Sequence, residues 1–293
     1  MTTLTAAEAA DLFRREPDRH LDVGGGEVAY RCVGDGPDVL FVHGWPVNSA
    51  TYRTLLPHLA PQVTCHLLDL PGTGSSRWDE TTPLSIENHI SSVKRSVELL
   101  GLERVAVVGH DSGGMIGRHA LAGDPRVSAM GLINTEQPSG LSWRFRAFLS
   151  IRGLPGIARS LGWVAGQRRL RRNPFVLGDA FADSSLLDGE FDEFFLQPLH
   201  TDRRVQQAAI KLLRSFDRDH VTELAALHAR IDVPVRMVWG DRDPFFPLAA
   251  AREMVGTFPN AELAVIEGAG LFSHEERPAE VADALLPTLT GQA

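Results

Sequence analysis

The residues with the clearest chemical potential lie in RVAVVGHDSGGMIGRHALA, residues 104–122. An apolar run ends at Gly109 and a helical pattern opens at about Ser112. Between them stands Gly109-His110-Asp111-Ser112-Gly113, a small-x-nucleophile-x-small spacing. Such a spacing builds a tight strand-to-helix turn that lifts its central side chain above a sheet, at a helix N-terminus. The flanking positions tolerate almost no side chain. The central residue here is Asp111, where esterases and lipases carry Ser. A carboxylate, with an ordinary pKa of about 3.9, is already ionised at neutral pH. It displaces a leaving group from a saturated carbon and forms an alkyl ester, and is poorly suited to cutting ordinary esters or amides. The turn therefore points to carbon–halogen bonds and strained carbon–oxygen bonds. A plain helix cap is the alternative role for Asp111; the two flanking glycines weigh against it. Ser112 as nucleophile would place His110 at a position that demands a small residue, so Ser112 reads as a backbone donor.

An ester on Asp111 needs an oxyanion site, a base for water and an acid to orient the base. His43-Gly44-Trp45-Pro46 follows the apolar run VLFVH and occupies the expected oxyanion-loop position. The backbone N–H groups of Trp45 and Ser112 then face one oxygen. His274, in EGAGLFSHEERP, follows the last apolar run and precedes the last helix, which makes it the expected base. Asp243, in MVWGDRDPFFP, is the expected orienting acid, with Asp241 as a turn cap and Glu136, in LINTEQP, as the second candidate. The order Asp111, Asp243, His274 is the nucleophile–acid–histidine order of a known fold.

Those residues sit at the ends of elements that the hydropathy pattern predicts. Strands are expected over 38–43, 63–70, 104–109, 127–134, 235–240 and 261–267, with helices over 85–100, 112–122, 248–258 and 278–289. The alternation implies a mostly parallel sheet covered by helices on both faces. A short helix over 5–16 precedes a hairpin, 20–23 and 27–33, turned by Gly24-Gly25-Gly26. A phosphate loop would need a helix after those glycines, and a strand follows. The alternation fails from 137 to 220, which reads as an inserted helical cap opening at Gln137-Pro138-Ser139-Gly140. The expected organisation is a core of 1–136 and 221–293 with a cap of 137–220. Phe145, Phe148, Phe191, Phe194 and Phe195 are candidates for a pocket roof, and Arg168, Arg169, Arg171 and Arg172 for a solvated face.

Composition bounds the class. The 293 residues are 43% hydrophobic and 23% charged, the profile of a globular domain. A net charge of −8 argues against nucleic acid as partner. No apolar run reaches membrane-spanning length, and the N-terminus has no secretory pattern. Cys32 and Cys65 form no disulfide framework or Cys-x-x-Cys motif, in keeping with a cytoplasmic protein. The expected partners are a small, mainly apolar organic substrate and water. Oligomeric state is left open.

HGWP, GHDSGG, GDRDPFFP and FSHEERP together resemble the α/β-hydrolase superfamily, in its branch of epoxide hydrolases and haloalkane or haloacetate dehalogenases. The likeness spans essentially the whole chain. It implies an α/β-hydrolase fold with a helical cap after the sixth strand, a covalent alkyl-enzyme route, and no metal or organic cofactor. The chain departs from the markers of each subfamily. Epoxide hydrolases place tyrosines in the cap, whereas Tyr30 and Tyr52 lie outside it. Haloalkane dehalogenases carry Trp after the nucleophile, where Ser112 stands. Fluoroacetate dehalogenases place arginines one and four residues on, where Ser112 and Met115 stand. Indole N–H groups of Trp45, Trp143 or Trp163 would hold a halide, and His200 would protonate an epoxide oxygen. The balance tips to a haloalkane dehalogenase-like enzyme, with an epoxide hydrolase as alternative. A serine esterase or a non-hydrolytic binding member of the fold is the more distant reading.

Overall fold

The computed structural model describes residues 4–292. Eight strands form one sheet: β1 (Arg19–Asp22), β2 (Glu27–Gly34), β3 (Asp38–Val42), β4 (Thr64–Asp69), β5 (Val105–His110), β6 (Val127–Ile133), β7 (Val235–Gly240) and β8 (Ala261–Ile266). Their order is β1-β2-β4-β3-β5-β6-β7-β8. β1 and β2 form an antiparallel hairpin, Asp22 opposite Glu27, and β2 runs antiparallel to β4. Every other neighbouring pair is parallel. The triple glycine is thus a hairpin turn. All six residues of the central strand β5 are buried, as its unbroken apolar run predicts. β8 lies at the sheet edge and only Ile266 in it is buried.

Local sequence fixes the helix ends. Thr5 and Glu8 form a capping box on the helix Ala6–Arg14. Ser85 caps Ile86–Leu100, which stops at the left-handed Gly101. Between β6 and β7 the described chain holds helices and turns and no strand, including Trp143–Ser150, Ile157–Ala165 and Arg203–Ser215. The helix Arg203–Ser215 turns Ala208, Leu212 and Leu213 inward. The basic run in this insertion is partly paired within it. Arg168, Arg171 and Arg172 converge on Asp188, and Arg171 also reaches Asp192. No helix among the described residues is long and apolar enough to cross a membrane.

The parallel strands all deliver their C-terminal ends to the same edge of the sheet. β3 leads into the Trp45 loop, β5 into Asp111, β6 into Glu136, and β7 and β8 into the loops that follow them. The helical insertion starts at that edge, after β6, and the chain then returns to the opposite edge to enter β7. The C-terminal edge is where an open parallel sheet leaves a crevice.

Candidate active site

Asp111 is the pivot of the turn, with φ 52° and ψ −137°. A non-glycine residue in that region costs about 1–3 kcal/mol and persists only when its surroundings enforce it. Here the Asp111 N–H donates to the Asn134 carbonyl (3.0 Å), and its own carbonyl accepts from Gly114 N–H (2.9 Å) and Thr135 Oγ (2.7 Å). The glycines on either side are required. A Cβ on Gly109 would lie 2.5 Å from Gly114 Cα, and one on Gly113 would lie 2.1 Å from the Val42 carbonyl oxygen.

The carboxylate is held asymmetrically. Asp111 Oδ2 accepts the Trp45 backbone N–H at 2.9 Å. The Ser112 N–H, at the start of the helix Ser112–Leu121, also favours the charged form. Burial and the nearby carboxyls of Glu136 and Asp243 oppose that, and hold Asp111 above the usual carboxylate range. Of the two donors expected for an oxyanion, Trp45 is hydrogen-bonded to the Asp111 carboxylate, and Ser112 follows it at the helix start.

The cavity over Asp111 is nearly all apolar. Phe145, Phe148, Phe191, Phe195, Phe216, Phe245, Phe246 and Phe272 contribute to it, together with Leu212, Leu213 and Leu271. Four of the five expected roof phenylalanines are present. Phe194 instead turns outward to Phe13 and the Arg14 guanidinium. The polar side chains among the lining residues are Asp111, Ser112, Glu136 and the indole of Trp45.

The expected base is not in this cavity. His274 is fully buried within the short helix Ser273–Glu276, one turn past the residues that face Asp111. Its Nε2 is 2.8 Å from Thr51 Oγ, its ring packs on those of His110 (4.3 Å) and Tyr52 (5.6 Å), and its Nδ1 has no partner. Burial, with His110 and Arg53 nearby, holds it far below the usual imidazole range, so it is neutral. No hydrogen bond joins it to Asp243 or Glu136. The loop after β8 does reach the cavity, through Leu271 and Phe272. Among the described residues no histidine lines it. The correction has a simple cause: three residues along a loop that coils into a helical turn reverse the side a residue faces. We expect His274→Gln to leave activity per folded molecule within about threefold, while lowering stability by about 1–3 kcal/mol through lost ring packing. Urea melts and specific activity on the same preparation check both.

Asp243 is buried behind the cavity lining. Its Oδ1 accepts the N–H groups of Phe245 (2.7 Å) and Phe246 (3.0 Å), and its Oδ2 accepts Asn134 Nδ2 (2.8 Å). Burial nevertheless pushes its pKa up to about 7. It ties the end of β6 to the phenylalanine loop after β7. Sequence reasoning missed Asn134, which also accepts Gly240 N–H and Ser273 Oγ and so clamps three loops together. Its left-handed φ of 34° marks a sharp turn at the end of β6. Asp241 accepts Gly268 N–H at 2.8 Å, the structural part expected of it.

The other expected contacts also fall elsewhere. Trp45 lines the cavity, but its Nε1 donates to the Ala209 carbonyl (2.8 Å). Trp143 and Trp163 are 64% and 57% exposed, on the outside of the insertion. His200 Nδ1 pairs with the Gly162 carbonyl (2.9 Å). None of the four presents a free N–H to Asp111.

Glu136 does face it. Glu136 is 1% exposed, lines the cavity with Asp111, and has Oε2 at 3.0 Å from Thr135 Oγ and Oε1 without a partner. Burial raises its pKa, more than its own backbone N–H and Arg118 lower it. A carboxyl whose folded pKa is raised binds its proton more tightly in the folded chain. Its stabilising contribution is complete below the ordinary glutamate range and is lost as pH rises through the folded value. Glu136→Gln removes that loss. The variant is expected to gain stability relative to the native protein as pH rises above the ordinary glutamate range, read as the difference of two urea titrations.

The comparisons agree with this architecture. Residues 37–278 match a family model described as the alpha/beta hydrolase fold. A pimeloyl-[acyl-carrier protein] methyl ester esterase from Xanthomonas campestris pv. campestris is 26% identical over 255 residues, covering 85% of this chain and 94% of that protein. The epoxide hydrolase CorEH superposes with a TM-score of 0.76 at 22% identity, covering 94% of this chain and 99% of that one. Haloalkane dehalogenase DbeA from Bradyrhizobium elkani does so with a TM-score of 0.78 at 21% identity, covering 93% and 97%. At these identities the two structural likenesses speak for the fold.

Proposed function

The chain belongs to the α/β-hydrolase fold family, and on that premise we propose that it opens a strained carbon–oxygen bond of a small, apolar molecule through a covalent ester on Asp111. The observation that carries this reading is the asymmetric hold on the Asp111 carboxylate. With Oδ2 tied to the Trp45 N–H, Oδ1 is the oxygen left to attack an electrophilic carbon in a dry, aromatic cavity. Attack at a saturated carbon gives an ester whose carbonyl oxygen already sits at the Trp45 donor, with the Ser112 N–H next along the chain. Those donors then stabilise the tetrahedral oxyanion when water adds.

The sequence tips the balance to a carbon–halogen bond, and the geometry tips it back. A departing halide is stabilised by N–H donors. Trp45 Nε1 is committed to a carbonyl, and Trp143 and Trp163 point to solvent. An epoxide oxygen needs a proton instead, and a carboxyl group lies in the cavity. The esterase name carried by relatives gives a serine route as the competing reading. Ser112 counts against it, because the strained pivot of the turn is Asp111 and Ser112 is the first helical residue.

Single-turnover reaction with a panel of apolar terminal epoxides in ¹⁸O water tests the proposal. Solvent oxygen is expected in the Asp111 peptide. An unlabelled Asp111 in a protein that turns over, or acylation of Ser112 by aryl esters, overturns it.

A further inference from the structure

Resting on Asp111 as nucleophile, we propose that Glu136 is both the acid that protonates the opening epoxide oxygen and the base that activates water against the Asp111 ester. It thereby does the work of a histidine the cavity lacks, and makes epoxides the substrate class.

Ring opening generates an alkoxide that needs a proton, and ester hydrolysis needs a proton acceptor. Among the described residues lining the cavity there is no tyrosine and no histidine. Glu136 is the group present, and its hydrogen bonds assign its proton. Thr135 Oγ has one proton and two lone pairs. Its proton lies toward the Asp111 carbonyl at 2.7 Å, and one lone pair takes Arg118 Nη2–H at 2.9 Å. What it offers Glu136 Oε2, at 3.0 Å, is an acceptor, which a protonated carboxyl satisfies by donating. Glu136 Oε1 has no partner within the chain, and the residue lines the cavity with Asp111.

Two carboxyls in one apolar cavity do not both ionise readily. Asp111 has the Trp45 N–H and a helix N-terminus for its negative charge, and Glu136 has its own backbone N–H and the nearby Arg118. When Glu136 loses its proton, the fully buried Arg118 lies just behind. The guanidinium donates to the Glu136 carbonyl oxygen (2.8 Å) and to Thr135, leaving the carboxyl itself free.

In the first step Asp111 Oδ1 bonds to a ring carbon, that carbon–oxygen bond breaks, and the ring oxygen takes the Glu136 proton. The result is a hydroxyalkyl ester and a Glu136 carboxylate. In the second, that carboxylate takes a proton from water as the water oxygen adds to the ester carbonyl. Collapse expels the alkoxide, which takes the proton of the newly formed Asp111 acid. Epoxide and water have become a diol, and both carboxyls are as they began.

Glu136→Gln keeps shape and neutrality and removes the transferable proton. The native protein and the variant are each treated with a terminal epoxide and, separately, with a primary iodoalkane, whose iodide leaves without protonation. If the proposal holds, iodoalkane alkylates Asp111 at similar rates in both. The native ester is then hydrolysed, the variant ester persists about 10²–10⁴-fold longer, and epoxide opening by the variant falls by a similar factor. Native-like epoxide turnover by the variant, or equal ester lifetimes, overturns the role of Glu136. Asp111 left unalkylated in both proteins overturns the nucleophile reading on which it rests.

Discussion

Asp111→Asn is expected to abolish epoxide opening, by at least about 10³-fold, and to abolish alkylation by iodoalkanes, while leaving the protein folded. The magnitude follows from the chemistry. An amide has no anionic oxygen to attack carbon, and no other nucleophile among the described residues occupies the pivot. The stability expectation follows from the surroundings. The amide oxygen takes the place of Oδ2 and accepts the Trp45 N–H, and a buried carboxyl held above its usual pKa by burial and by Glu136 disappears. The melting temperature at pH 7 to 8 is therefore expected to be equal or higher. A folded Asp111→Asn protein that still turns over epoxide would mean that the chemistry lies elsewhere, with Ser112 the first place to look. Loss of activity together with loss of folding is separated from this outcome by the melt itself.

The contrast between Asp111 and His274 shows what a sequence carries and what it does not. Asp111 was legible because its role is local. Glycines at 109 and 113, an apolar run before them and a helical pattern after them are all contained within a few residues, and sterics leaves one geometry for them. The same holds for the strands, where β5 and β7 read as unbroken apolar runs because both faces of a parallel strand are covered. The base was not legible because the direction of a side chain in the loop after β8 depends on where that loop begins to coil. His274 is the histidine of that loop, but the turn at Phe272 sends it toward Tyr52 and His110, and leaves Leu271 facing the nucleophile. Asp243 shows the same limit. Its position past β7 was read correctly, yet its oxygens are taken up by Phe245, Phe246 and Asn134. The indoles of Trp143 and Trp163 failed for a third reason: helical periodicity gives a face, and which face of an inserted helix meets the sheet is a tertiary outcome.

If Leu271 occupies the place from which a base would act, an imidazole there should restore what Glu136→Gln removes. Leu271→His in the Glu136→Gln background is expected to shorten the lifetime of the Asp111 ester by about 10²-fold or more, the usual contribution of a positioned general base. Leu271 already lines the same cavity as Asp111, so the new ring projects from an element that faces it. The electrostatics favour it as well. Burial raises Asp111, Glu136 and Asp243, and the other two carboxyls raise Asp111 further. A histidine that takes a proton from water becomes a cation; with Glu136 as Gln and Asp111 esterified, Asp243 is the carboxyl of the three that remains. The expected pH profile distinguishes this base from the native one. Ester hydrolysis by the double variant should rise as the imidazole loses its proton, while the native reaction follows the Asp111–Glu136 pair. Methylimidazole added to Glu136→Gln without the second substitution serves as the control for access. If the ester stays trapped in a folded double variant, the ester carbonyl is not within reach of residue 271, and the cavity geometry proposed for water attack is wrong.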